Sequence, residues 1–300
     1  MAKVKAPKYK KTHAKDAMNM KGRIILFISR FFVYLILAIL TFLCLFAFYM
    51  MFINSTRSNA QLQSGFALLP NDHFFINLKN AWTDYSVNIA RGMLNSLIVA
   101  LSSAILTTYF SALTAYGIHC YEFRLKKVAF TFIMVVMMIP SQVSAVGFIS
   151  LVNSLGLTNN YLPLIMPGIA APIVFFYMKQ YMESTLSLEI VEAARVDGSN
   201  EFSTFNRIVL PIMMPAVAVQ MIFSFVSSWN NFFIPGMILD KQELKTLPIM
   251  IANLRSADYS KFDMGKVYMF ILLSILPVIV VYLFLSKLII GGVSEGSVKG

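Results

Sequence analysis

The chain has 300 residues, of which 58% are hydrophobic and 13% are charged. Soluble domains usually contain about 45–50% apolar and about 25% charged residues. Because no soluble core could bury such an apolar excess, the composition disfavours a soluble enzyme, a disordered chain and a fibrous protein, and indicates an integral membrane protein. Two cysteines, Cys44 and Cys120, are too few for a disulfide scaffold or a cysteine-rich metal site.

The net charge of +11 is concentrated at the N-terminus. The first thirty residues contain nine lysines and arginines but one acidic residue, Asp16, so the rest of the chain is close to neutral. A basic segment directly before a long apolar run is typical of the cytoplasmic side of a membrane. We therefore expect a basic cytoplasmic tail over residues 1–25. No folded nucleic-acid reader adjoins this tail, and no nucleic-acid partner is predicted.

Stretches without Asp, Glu, Lys or Arg predict the membrane spans. A helix needs about 20 apolar residues to cross a bilayer, and a polar turn cluster at 153–160 divides the longest stretch, 128–178. The fold class is therefore an all-α integral membrane protein with six transmembrane helices in a domain over 26–290. The six helices are predicted near 28–53, 92–118, 128–151, 161–182, 207–234 and 266–288.

Basic residues in the loops set the predicted orientation. The loop near 119–127 carries Arg124, Lys126 and Lys127 and is expected inside. Both termini are then cytoplasmic in a multi-pass protein of the cell membrane. The inner segments also include the loop 183–206 and a C-terminal tail over 291–300, and the outer loops are those near 54–91, 152–160 and 235–265.

The spans themselves limit the function. Their centres carry no ionisable residue, which weakens the hypothesis of a proton-coupled carrier. The chain also lacks a GxxxxGK[ST] phosphate loop and the HExxH and CxxC patterns, so no catalytic residue, cofactor or metal site is predicted. If the protein moves a solute, the energy must come from another chain.

A few uncharged polar residues in the spans are candidates for a substrate pathway. Amides bond hydroxyl groups in both directions and an indole stacks on the apolar face of a sugar, which suits a neutral hydroxylated ligand. A tryptophan with a polar helix end at the membrane border is the structural alternative. The candidates are Gln142 in the third span and Trp229, Asn230 and Asn231 at the end of the fifth.

The inner loop 183–206 has the pattern of a short helix followed by a tight elbow. Ser187 is a plausible N-cap, and Gly198 can end the helix in a left-handed conformation, with a second helix starting near Ser199. Ala193 and Ala194 would give this helix a thin surface that another protein can approach closely. A surface helix packed on its own protein is equally compatible with the pattern.

The spacing around this loop resembles a known family motif. The segment begins with Glu192-Ala193-Ala194, continues after three residues with Gly198 and after nine more with Ile208, and ends after one further residue with Leu210-Pro211. This spacing is similar to the EAA loop of binding-protein-dependent ABC importer permeases. Other segments resemble the second permease subunit of the carbohydrate-uptake, maltose-type branch. These segments are Asn95-Ser96-Leu97-Ile98-Val99-Ala100, Ile139-Pro140, Leu155-Gly156-Leu157, Trp229-Asn230 and Gly296-Ser297-Val298-Lys299-Gly300.

The resemblance implies the type I importer permease fold with a cytoplasmic coupling helix. In that family this helix docks on a cytoplasmic ATPase, two permeases form the pore, and an extracytoplasmic binding protein delivers the sugar. The chain would then be a transport subunit that has no cofactor of its own, with ATP and Mg on two ATPase partners. The implied docking residues are Glu192, Ala193, Ala194, Asp197 and Gly198, and the implied binding-protein contacts in the loop 235–265 are Arg255, Ser256, Asp258 and Tyr259.

Three alternatives remain open at this point, one of which is a structural scaffold with no transport role. The chain could be a permease of the same superfamily for a polyol or glycerol-phosphate-type solute. It could instead be a secondary carrier or membrane sensor that works without an ATPase. A co-purifying ATPase would support the importer, and a chain active by itself would support the carrier.

Overall fold

The computed structural model describes residues 20–84, 88–255 and 263–296. Most of the predicted N-terminal tail, the residues Ser256, Asp258 and Tyr259, and residues 297–300 lie outside the described part of the chain. The described helices are α1 Met20–Ser55, α2 Asn59–Gln63, α3 Phe74–Trp82, α4 Ile89–Cys120, α5 Lys126–Met137, α6 Ser141–Ser154, α7 Leu162–Ile165, α8 Pro172–Thr185, α9 Leu188–Val196, α10 Glu201–Thr204, α11 Leu210–Ile212, α12 Met214–Trp229, α13 Phe233–Ile238, α14 Leu247–Arg255 and α15 Met264–Gly296.

Four helical segments in the described residues are long and apolar enough to cross a membrane. A fifth span is formed if Glu201–Ile212 and Met214–Trp229 are counted together across a bend of 81°. The predicted fold class is confirmed, but the structure does not reproduce six single spans. The four segments are Ile25–Ser55, Ile89–Cys120, Leu162–Thr185 and Met264–Ile289.

The predicted third span, 128–151, is interrupted. Helix α5 ends at Met137 and α6 begins at Ser141, with Pro140 between them in an extended conformation (φ −60°, ψ 127°). Proline has no N–H to donate, and it disfavours the helical conformation of the residue before it. Pro140 lies inside the predicted span, so the sequence already carried a signal for this break.

The chain divides into two compact units at the boundary between Met51 and Phe52. The first unit holds most of α1. In the second unit α4 packs against α8, α12 and the 3₁₀ turn Met166–Ile169. Small side chains on α4 allow these close helix contacts. The small residues of α4 that are buried are Gly92, Ser96, Ala100, Ser103, Ala104, Ser111, Ala112 and Ala115.

Two apolar clusters lie at opposite ends of α4. Near its C-terminal end, Tyr116 packs with Met182, Val191 and Phe205. Near its N-terminal end, Ile89 and Ala100 belong to a second cluster, whose other buried members include Phe225, Trp229, Leu247, Met269 and Phe270. With 32 residues and a rise of 1.5 Å per residue, α4 separates its two ends by about 48 Å.

The segment that follows α10 is distorted before it becomes a straight helix. A π turn spans Phe205–Val209, and Leu210 N–H bonds the Phe205 carbonyl across it. Pro211 and Pro215 then remove two donors from the helical ladder, which is the usual cause of a sharp kink. The bend at Met213 therefore follows from the sequence Leu-Pro-Ile-Met-Met-Pro.

Candidate functional site

The inner loop forms the short helix and elbow that its sequence predicts. Ser187 caps α9, and its Oγ accepts a bond from Glu189 N–H at 3.3 Å. At the other end Gly198 N–H bonds the Arg195 carbonyl and Ser199 N–H bonds the Ala194 carbonyl, both at 3.0 Å. This bond pair is a Schellman cap. Gly198 adopts φ +80° with nothing within 4 Å of an added Cβ, so the backbone conformation alone requires glycine there.

The two faces of α9 differ. Val191 and Ala194 point inward and are 1% and 6% exposed. Glu192, Ala193, Asp197 and Gly198 are exposed. Ala194 therefore does not share the outer surface with Ala193, because the turn of the helix carries it onto the side of Val191. Four of the five predicted docking residues lie together on the outside.

One carboxylate connects α9 with α4. Glu201, the first residue of α10, accepts a bond from Arg195 Nε on one oxygen at 2.8 Å. Its other oxygen accepts a bond from the hydroxyl of Tyr116 on α4 at 2.7 Å. The Arg195 guanidinium also lies over the ring of Tyr121, 5.0 Å from its centroid. The bond to Glu201 raises the pKa of Arg195 above its ordinary value, and the same bond holds the pKa of Glu201 well below its ordinary value.

This arrangement was not predicted from the sequence. Its only signal was a pair of opposite charges, Arg195 and Glu201, on the two sides of the Gly198 elbow. The elbow folds the two halves of the loop against each other, which brings the charges together. Nothing in the sequence indicated that Tyr116 would join them from 85 residues away.

A groove of about 790 Å³ lies between α4, α8 and α12. Its lining residues are all uncharged, and they combine apolar side chains such as Phe223 with hydroxyl and amide groups. A smaller pocket of about 230 Å³ shares Leu164, Ser228 and Asn231 with it. The polar lining residues of the groove, apart from Tyr177, are Ser103, Thr107, Gln220, Ser224, Ser227, Ser228 and Asn231.

The structure separates the predicted pathway residues. Asn231 lines the groove and the smaller pocket. Trp229 is buried and stacks on Phe225 with ring centroids 5.6 Å apart, and it lines a different pocket together with Asn230. The side chain of Gln142 lies outside the described part of the structure. Gln220, a second amide that lines the groove, was detectable as the one amide inside the apolar run of α12.

At its N-terminal end α4 holds the chain between α13 and α14. Arg91 Nε and Asn95 Nδ2 both donate to the Glu243 carbonyl at 2.9 Å, and Asn95 also donates to the Lys245 carbonyl at 3.0 Å. Ser96 Oγ accepts a bond from Leu247 N–H at 2.8 Å. The base of the predicted outer loop 235–265 is therefore fixed to α4.

A second clamp holds the same segment from the turn between α6 and α7. Asn159 Oδ1 accepts bonds from Asp240 N–H and Lys241 N–H, each at 2.8 Å. Asn159 adopts φ 55°, a left-handed conformation that asparagine tolerates better than most residues. Arg255 is the last residue of α14, at the edge of the described residues. Over those residues, no group of three or more His, Cys, Asp or Glu side chains could hold a metal ion.

Several known proteins are similar to this chain. The arabinooligosaccharides transport system permease protein AraQ of Bacillus subtilis is 36% identical over 209 residues, 69% of this chain and 72% of that protein. The melibiose/raffinose/stachyose import permease protein MelC of the same organism is 31% identical over 255 residues, which are 84% of this chain and 91% of that protein. The sn-glycerol-3-phosphate transport system permease protein UgpE of Yersinia pestis is 27% identical over 269 residues, which are 88% of this chain and 95% of that protein.

A solved structure supports the fold. A chain of a bacterial ABC transporter involved in the import of the acidic polysaccharide alginate superposes with a TM-score of 0.75 at 22% identity, covering 90% of this chain and 98% of that one. The family model for the inner membrane component of binding-protein-dependent transport systems matches residues 111–289, which include α9, the elbow and the groove helices α8 and α12. The chain therefore belongs to the family of binding-protein-dependent transport system inner membrane components, and it is a membrane permease rather than an enzyme.

Proposed function

We propose that the chain is the permease subunit of an ATP-driven ABC importer for a sugar or oligosaccharide. It forms half of the translocation pore and pairs with a second permease subunit in a heterodimer. Relatives named for arabinooligosaccharides and for melibiose, raffinose and stachyose support this substrate class. The lining of the groove also supports it, since uncharged hydroxyl and amide groups can exchange hydrogen bonds with a neutral sugar.

The single observation that carries the proposal is the outward face of α9. A nine-residue helix, capped at both ends, exposes Glu192 and Ala193 while Val191 anchors it in the core. An alanine at the centre of an exposed helix face lets a partner approach closely, and a carboxylate beside it can bond a group lining the cleft of that partner. This face docks on one of two cytoplasmic ATPase subunits, which bind ATP and Mg.

In this proposal the protein lies in the cytoplasmic membrane and α9 faces the cytoplasm. The segment 122–127, which follows the same end of α4, contains Arg124, Lys126 and Lys127, and such basic loops stay inside. Both termini are then cytoplasmic. An extracytoplasmic solute-binding protein delivers the sugar at the opposite end of α4, and we retain Arg255, Ser256, Asp258 and Tyr259 as predicted contacts with it.

The alternative solute class has one specific support, the relative named for sn-glycerol-3-phosphate. An anionic solute favours basic groups along its path, and the described lining of the groove has none. A neutral sugar therefore fits this half of the pore better than a phosphate ester does. The relatives named above give no such support to a secondary carrier without an ATPase.

Reconstituted transport tests the proposal. The permease is co-purified with its partner permease, ATPases and binding protein, placed in proteoliposomes, and supplied with labelled arabinotriose, raffinose or glycerol 3-phosphate. We expect one of the two sugars to accumulate only when ATP and Mg are present on the ATPase side. Accumulation of glycerol 3-phosphate alone would overturn the substrate class, and accumulation without any ATPase would overturn the mechanism.

A further inference from the structure

We propose that Glu201 is a positioning residue that passes the displacement of α9 to α4, so that the motion reaches the groove across space and not along the chain. The inference rests on the proposed function, because it needs a partner that displaces α9. It concerns three side chains, Arg195, Glu201 and Tyr116. None of them lines the groove, and none belongs to the outer face on which the partner docks.

The path along the chain is a poor transmitter of motion. From α9 it passes the Gly198 elbow, the four-residue helix α10 and a π turn, and then a bend of 81° before α12 begins. Each of these breaks can absorb a displacement by small changes in backbone torsion. A push on α9 is therefore damped before it reaches Gln220 or Ser224 on α12.

The path through α4 has no such break. Helix α4 is continuous over 32 residues, Ile89–Cys120. Tyr116 lies near its C-terminal end, while Ser103 and Thr107 on the same helix line the groove. Tyr116 is nine positions after Thr107, which is about 14 Å along the helix axis. A displacement applied at Tyr116 therefore moves the groove wall as part of one rigid element.

The bonds at Glu201 are the shortest of the polar contacts that give this path a fixed geometry. Two others among the described residues also start from α4: His119 Nε2 lies 3.3 Å from the Leu186 carbonyl oxygen, and the Tyr109 hydroxyl donates to Asn206 Oδ1 at 3.2 Å. The apolar contacts of Val191 and Phe205 can slide past their neighbours. Glu201 instead holds Arg195 of α9 and Tyr116 of α4 on its two oxygens at 2.8 and 2.7 Å. The Tyr121 ring supports the guanidinium at 5.0 Å and meets the Tyr116 ring edge-on, with centroids 5.8 Å apart. Charge-assisted bonds of this kind are directional, so they constrain both helices at once.

The test follows the movement of α4 without needing the transported sugar. In a background with Cys44→Ser and Cys120→Ser, the variant Ser103→Cys places a thiol on the groove wall. The complex with its ATPases is treated with a small water-soluble maleimide, with ATP and vanadate or without nucleotide. We expect nucleotide to change the labelling rate. In Glu201→Gln and in Tyr116→Phe that change becomes about fivefold smaller, the lower end of typical coupling effects, while the ATPase remains bound and hydrolyses ATP.

Two comparisons separate transmission from general damage. Glu122→Gln removes a second carboxylate from the same end of the molecule, where Glu122 bonds Lys126 at 2.7 Å with most of its side chain exposed. This control keeps the full nucleotide response. The pair Arg195→Glu with Glu201→Arg restores part of the response that either single change removes. Tyr116→Phe deletes one hydroxyl and keeps the ring, so it is the variant that folds even if Glu201→Gln does not.

The outcomes distinguish the inference from the proposed function. If no ATPase co-purifies with the unaltered permease, the proposed function fails and the inference fails with it. If the ATPase binds but nucleotide does not change the labelling rate of Ser103→Cys, α4 is not the moving element and the inference alone is overturned. A full response in both Glu201→Gln and Tyr116→Phe overturns it as well.

Discussion

The two ends of α4 are fastened in different ways. At the N-terminal end, Arg91, Asn95 and Ser96 bond main-chain groups of the segment 243–247, whose positions depend on the backbone. At the C-terminal end, Tyr116 bonds a side-chain carboxylate that is shared with Arg195. The first arrangement fixes a loop. The second joins two helices through the buried Tyr116 and through Arg195 and Glu201, whose side chains stay about one-third to one-half exposed. Substitutions at the N-terminal end should therefore lower the stability of the protein, and substitutions at the C-terminal end should weaken the coupling between nucleotide binding and the movement of α4.

The largest effect is expected at the elbow. Gly198→Val places a β-branched residue at φ +80°, which such residues rarely adopt. We expect ATP-driven uptake to fall by at least about tenfold, because a strain of about 1–2 kcal/mol is relieved by reorienting α9, while the amount of protein in the membrane stays the same. Uptake and membrane level are measured on the same vesicles.

A matched glycine controls for backbone strain in general. Gly156 also has a positive φ, +66°, with nothing within 4 Å of an added Cβ, and it lies beside the Asn159 clamp, away from α9. Gly156→Val should keep the ratio of uptake to ATP hydrolysis. Equal losses of coupling in both variants would remove the special role of the elbow.

A second contrast concerns adjacent alanines. Ala193→Leu adds bulk to the exposed face of α9, so we expect the permease to fold and to lose co-purification with the ATPase. Ala194→Leu adds the same bulk to a position that is 6% exposed, where overpacking typically costs about 1–3 kcal/mol. That variant should lose thermal stability first. Retained co-purification of Ala193→Leu would show that this face does not dock.

The N-terminal end of α4 can be broken by one substitution. Asn95→Ala leaves the Glu243 and Lys245 carbonyls without this donor, at a cost of about 1–3 kcal/mol. We expect a lower melting temperature of the purified protein and an unchanged nucleotide response at residue 103. Asn160→Ala, which removes one exposed bond to Leu162 N–H, serves as the control with a smaller shift. A loss of the nucleotide response in Asn95→Ala would contradict the division between the two ends.

The smallest effect on stability is expected from Glu201→Gln. Exposed ion pairs contribute about 0–1 kcal/mol, and the glutamine amide can still accept the bond from Tyr116. The melting temperature should therefore change less than in Asn95→Ala, measured under the same conditions. A larger drop would mean that Glu201 is chiefly a structural residue.

The parts of the fold that the sequence predicts are those encoded by local patterns. Charge-free stretches indicated the long helices, and Ser187 and Gly198 marked both ends of α9 because capping depends on a few adjacent residues. The break at Pro140 and the bend at Met213 were visible as prolines but were absorbed into predicted single spans. Small helices such as α3 and α14 lie within segments that had been predicted only as outer loops.

The parts that the sequence could not provide depend on distant contacts. Which face of α9 is buried depends on the apolar cluster that Val191 shares with Tyr116 and Phe205, so the sequence alone could not distinguish the buried Ala194 from the exposed Ala193. Trp229 looked accessible at a polar helix end, yet it packs on Phe225 in the core. The bond from Tyr116 to Glu201 joins residues far apart in the chain, and no local pattern records it.

The sidedness of α9 tests the central claim most directly. Val196→Cys, in the background without the two native cysteines, places a thiol on a side chain that is 87% exposed. A membrane-impermeant maleimide should label this thiol in inside-out vesicles and not in intact cells, and added ATPase subunits should protect it from labelling. Thr158→Cys, in the loop predicted to lie outside, should be labelled in intact cells and not in inside-out vesicles. Labelling of Val196→Cys in intact cells would place α9 outside the cell and contradict the account.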